Sequence, residues 1–85
     1  RFEPYSIYLE TLGYNYHTDI PIGISITDKT GCYYIEFDLL KDSKIFNDNK
    51  QKYTYDLKKL LYVFERFNVE IDKELIRVLE NYPDL

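Results

Sequence analysis

Methionine is absent from these 85 residues, cysteine and histidine appear once each, and glycine and proline three times each. Each scarcity excludes something. A primary translation product begins with Met, so a chain that opens RFEPYS is expected to be a processed product or a piece cut from a longer one. Its function then belongs to the parent. The single thiol, Cys32, allows no internal disulfide and fits a reducing compartment. It is expected as a small buried residue at the start of a strand. His17 has no Cys or His companion at ligand spacing, so a zinc site of the usual kind is excluded and His17 is expected in a loop. Gly23 and Gly31 form no phosphate loop, and no Gly-x-Ser-x-Gly is present. No apolar run approaches the ~20 residues of a membrane span, and no secretory signal is visible, which predicts a soluble, cytoplasmic chain. Basic residues are outnumbered, 11 Lys and Arg against 15 Asp and Glu, for a formal charge of −4. That balance argues against free-standing nucleic-acid binding, whose footprint is basic.

What is present is apolar and aromatic. Hydrophobic residues make up 45% of the chain and aromatics 18%, with 10 Tyr against 5 Phe. That is enough for one small domain over residues 1–85, with a core of many polar-tipped rings. Residues 5–12, YSIYLETL, alternate and hold β-favouring types, which predicts a strand. Tyr5, Ile7 and Leu9 then share one face, and Ser6, Tyr8 and Glu10 the other. Residues 13–20 read as a loop. Residues 21–27 and 32–38 read as a hairpin about the turn DKTG. Tyr33 and Tyr34 are expected to serve core or cross-strand packing rather than base stacking. Residues 39–53 are polar, six Lys against three Asp over 41–59, and read as a solvated turn or short helix. The spacing of Leu57, Leu60, Leu61, Phe64 and Phe67 predicts a helix over 55–67 with Thr54 as its N-cap. Asn68 is expected to end it in a left-handed turn. A second helix is expected over 72–82, capped by Asp72, buried through Leu75, Ile76, Leu79 and Tyr82, and stopped by Pro83.

In this order the segments line up with a known family. IYLETLG resembles the first exonuclease motif of the family A DNA polymerases, in which a strand carries Asp-x-Glu followed by Thr. DIPIGISITDKTGCYYIEF is similar to that family's hairpin. KYTYDLKKLLYVFERFNVEI resembles its second motif, and ELIRVLENYPDL the helix that follows. The resemblance covers residues 5–85. It implies a mixed α/β fold of the ribonuclease H-like exonuclease type in a minimal version: an antiparallel three-stranded start followed by helices. It also implies a short strand near residues 68–71 pairing with the first. The chain is then a 3′–5′ exonuclease-type domain of a bacterial DNA polymerase I.

Departures from the motifs shape the functional expectation. The family's exonucleases hold two divalent metals with carboxylates, which generate the nucleophile and stabilise the leaving oxygen. Here Tyr8 stands at the motif's Asp, and a phenol is no substitute for a bridging carboxylate. Glu10 matches the Glu and Asp56 the second-motif Asp, but the Asn four residues before it is Lys52. No Tyr-x-x-x-Asp follows Asp56. The expectation is a vestigial domain with motif remnants Glu10 and Asp56, the lost position Tyr8, no functional catalytic or metal site, and no cofactor. Mg would matter only if the site were live. The expected partner is the polymerase domain of the parent chain, with DNA reached through the parent, no membrane, and a monomeric state. The alternatives are an active metal-dependent 3′–5′ exonuclease and a small acidic interaction or inhibitor protein.

Overall fold

The computed structural model describes residues 4–13 and 18–79. They form a mixed α/β unit: a five-stranded sheet in the order β3-β2-β1-β4-β5, backed by one α-helix. Strands β1 (Tyr5–Leu12), β2 (Ile20–Asp28) and β3 (Gly31–Glu36) make an antiparallel meander. β-Branched and aromatic residues favour this pleated surface, and the period of two assigns faces. Tyr5, Ile7 and Leu9 point inward and are buried. The Asp28 carboxylate closes the β2–β3 turn by accepting from the Thr30 and Gly31 N–H groups and the Thr30 hydroxyl. Those bonds hold its carboxyl below the ordinary range. A bulge between Glu10 and Thr11 breaks the β1–β2 register.

Helix α1 (Leu57–Arg66) packs on the inner face through Leu60, Val63 and Phe64, all at most 1% exposed. They join Ile7, Leu9, Ile24, Phe37, Leu40 and Phe46 in one core. Burying an aliphatic or aromatic side chain of this kind contributes roughly 1.5–3 kcal/mol. Phe46 stacks on Phe64 at 5.6 Å, and Phe37 meets Phe67 edge-on at 5.3 Å. Leu61 and Phe67, expected in the buried stripe, pack against this core only partly buried, and Val63 takes the central place. Asn68 adopts φ 58°, as its place after the helix predicts, and its side-chain amide donates to Asp42 at 3.0 Å.

Several expectations are corrected. Asp56, not Thr54, caps α1: its Oδ1 accepts from the Lys59 N–H at 3.1 Å. Thr54 belongs instead to β4 (Lys52–Thr54), which runs parallel to β1. β4 therefore takes the place expected for a strand at 68–71; Ile71 forms a single parallel bridge to Phe46. The second helix is replaced over its described part by a 3₁₀ turn at Lys73–Leu75 and by strand β5 (Ile76–Val78), parallel to β4. The open edge of β4 offers ladder bonds to a β-branched segment, and this tertiary pairing overrides helical spacing. Tyr82 and Pro83 lie outside the described residues, as does His17. Cys32 is exposed, and Tyr33 and Tyr34, which alternate to opposite faces of the edge strand β3, are each 51% exposed; Tyr34 does pack across the strand, on Gly23. Phe37 and Asp38 leave the strand for a 3₁₀ turn, Phe37–Leu39.

Candidate functional site

Three sequence-predicted site residues lie on β1 and at the start of α1. Tyr8 and Glu10 occupy the outer face of β1, opposite the buried Ile7 and Leu9, and both are exposed. Asp56 stands at the start of α1. The middle of β1, the carboxyl end of β4 and the first turn of α1 enclose a cleft of about 210 Å³ lined by Tyr8, Leu9, Thr54, Tyr55, Asp56 and Lys59. The fold thus brings Tyr8 and Asp56 to one cleft, while Glu10 is not part of its wall. One oxygen of Asp56 is engaged by the helix it caps. The cleft's lining residues supply a single carboxylate, two phenols, one hydroxyl and an ammonium. Two hard cations held side by side need several oxygen donors, and this donor set does not fit them. Among the described residues no group of three or more His, Cys, Asp or Glu is arranged to hold a metal ion.

A second cluster was not foreseen. Lys52, which the resemblance sets at the motif's Asn, is fully buried. Its ammonium donates to Asp72 Oδ1, to the Lys50 carbonyl at 2.7 Å, and to Asp48 Oδ1 at 2.7 Å. It also lies 5.7 Å from the centre of the Tyr5 ring. The Tyr5 hydroxyl donates to the other oxygen of Asp48 at 2.7 Å, and Asp72 Oδ2 accepts from the Asn49 N–H at 2.6 Å. Burial, and then the hydrogen bond and charge of Asp48, push the Tyr5 phenol far above its usual range. Burial also works against the charge on Asp48. The hydrogen bonds from Lys52, Tyr5 and the Lys50 N–H, with the Lys52 charge, outweigh it and hold that carboxyl below its usual range. The one sequence signal was position: Lys52 falls where alternation demands an inward residue, two before Thr54. The solvated face expected over 41–59 is thus interrupted by a buried ion pair.

A third polar site closes the far end of β1. Asp19, 3% exposed, accepts from the Thr11 hydroxyl at 3.2 Å and lies 3.8 Å from the Lys59 ammonium. Its backbone carbonyl accepts from Arg66 at 2.9 Å. Gly13 (φ 114°) runs so close to the Asp19 carboxylate that a Cβ would stand 2.5 Å from it. Among the described residues no buried side-chain polar atom lacks a partner, and no helix is long and apolar enough to cross a membrane.

Comparison with known proteins agrees with this architecture. Residues 7–77 match the family model for the ribonuclease H-like domain of DNA polymerase I. DNA polymerase I of Bacillus subtilis (strain 168) is 30% identical over 73 residues, covering 80% of this chain. The chain spans only 8% of that relative's length. No solved structure gives a significant match. With a sheet-and-helix unit of this kind and a family match over residues 7–77 of 85, the chain belongs to the ribonuclease H-like exonuclease domain family of DNA polymerase I.

Proposed function

We propose that the chain is a vestigial 3′–5′ exonuclease domain, a structural spacer that positions the polymerase part of a larger DNA polymerase I in replication and repair. Nucleotidyl transfer and DNA binding then belong to the parent polypeptide, a cytoplasmic monomer. The observation that carries this reading is Tyr8: a neutral phenol, 58% exposed, stands where the family motif places its first metal-bridging carboxylate. Asp56 supports it, since its side chain serves the backbone of α1. Lys52 supports it as well, because the motif's Asn has given way to a cation committed to Asp48 and Asp72. The domain keeps its packing and has turned motif positions to structural use.

The test is digestion of a single-stranded DNA 3′ end with magnesium or manganese. No nucleotide release is expected. Release that is abolished by Glu10→Gln or Asp56→Asn overturns the reading.

A further inference from the structure

The inner face of the sheet is occupied: α1 and the Phe37–Leu39 turn cover it. The outer face of β1–β3 carries no described element. Cross-strand register places Tyr8, Ser25 and Tyr34 in one row, and Glu10, Gly23 and Glu36 in the next. The Tyr34 ring lies across Gly23, so close that a Cβ there would meet its hydroxyl at 2.1 Å. Beside it opens a cleft of about 360 Å³ lined by Ile20, Pro21, Ile22, Tyr34, Glu36 and Asp38. Leu12 is 60% exposed and Ile20 is 62% exposed, side by side in register.

This patch has two chemical properties. It is apolar and tyrosine-rich at its centre, the composition of an interface core. At the Glu36 end its charged rim is acidic, from Glu10, Glu36 and Asp38, while Lys29 stands at the Ser6 and Thr27 end; on the acidic side Lys41 lies 3.3 Å from Asp38. That pair is exposed, and such pairs hold little energy. An acidic rim repels nucleic-acid phosphate and attracts Lys and Arg.

We propose that the outer face of β1–β3 docks a basic amphipathic segment of the same parent polypeptide lying outside these 85 residues. The inference rests on the reading of the chain as a structural domain of a larger polymerase. It adds which surface makes the contact and what chemistry the contacting segment carries. In this arrangement Tyr8 is a contact residue: the position of a lost carboxylate supplies apolar area to the interface.

The test uses the full-length parent protein with p-benzoylphenylalanine, a photo-cross-linking residue, in place of Tyr34. A second preparation carries it in place of Glu74, which is exposed in the 3₁₀ turn before β5. Irradiation and peptide mapping are expected to join position 34, and not position 74, to an apolar segment of the same chain that bears Lys or Arg. Glu36→Lys with Asp38→Lys is expected to lower that yield about tenfold, because like charges would then face each other. No cross-link within the chain, one only to a second copy or to added DNA, or a yield indifferent to the charge reversal overturns the proposal. Intact mass of the native protein separates the two readings. A native chain without a polymerase portion defeats the structural-domain reading itself, whereas a long chain without the cross-link defeats only this docking surface.

Discussion

Tyr5 and Glu10 belong to the same strand, yet they meet opposite surroundings. At the N-terminal end of β1, Tyr5 leans on Lys52 and donates to Asp48 inside a closed ionic cluster. At the other end, Glu10 is exposed beside exposed Tyr8. Both ends carry carboxylates, so composition does not distinguish them. What differs is access to water. Asp48 and Asp72 face a cation that is wholly buried, with side-chain exposures of 25% and 10%. Removing one member leaves its partners charged and poorly solvated. Glu10 is exposed, and no described residue is hydrogen-bonded or ion-paired to its carboxylate. A substitution at the wet end of the strand therefore leaves no charge stranded, while one in the buried cluster does unless the partners change with it.

The sharpest way to break this contrast is Lys52→Met. It leaves two carboxylates without their cation and should destabilise by about 3–5 kcal/mol in urea unfolding. Adding Asp48→Asn and Asp72→Asn should restore much of the loss, because an apolar or neutral cluster needs no counter-charge. A Lys52→Met variant within about 1 kcal/mol of the parent chain would mean that the cluster is solvated in solution.

Titration sharpens the same comparison. Asp48 has its folded pKa lowered, so its contribution is present above the unfolded value near 3.9 and is lost as pH falls through the folded one. Tyr5 is raised, so its contribution is present below the unfolded value near 10 and declines as pH rises above it. Stability should therefore fall at both extremes. Asp48→Asn should flatten the acid limb and Tyr5→Phe the alkaline limb, the latter at a cost of about 1 kcal/mol at neutral pH for the lost hydrogen bond. Identical limbs in the variants would assign the pH dependence to other groups.

Asp56→Ala should cost about 1 kcal/mol, the usual value of a helix N-cap, in the same unfolding assay. Asp56→Ser should recover most of it, since a hydroxyl also caps. Failure of that rescue would point to a role for the charge itself. The smallest effect is expected for Glu10→Gln, less than about 0.5 kcal/mol, as for surface sites without a partner. A loss comparable to that of Lys52→Met would show that Glu10 has a structural partner and would collapse the distinction between the two ends of β1.

The meander of β1, β2 and β3, helix α1, the left-handed Asn68 and the shared outer face of Tyr8 and Glu10 were legible in the sequence. Each follows from a local period, of two residues in strands and of three to four in helices, or from the preference of one residue type. β4 and β5 were not legible. At three residues each, they are too short to show a period, and they exist because β1 offers an edge for parallel pairing. The exposure of Cys32 and Tyr33 likewise depends on which strand forms the edge of the sheet and on what covers it. Lys52 shows the limit most plainly. A lysine among aspartates reads as a solvated charge, and only the fold brings Asp72 from 20 residues away to make burial affordable. Local sequence determined the elements and the faces they present. Tertiary structure decided which charges lost their water, because desolvation depends on neighbours brought together from distant parts of the chain.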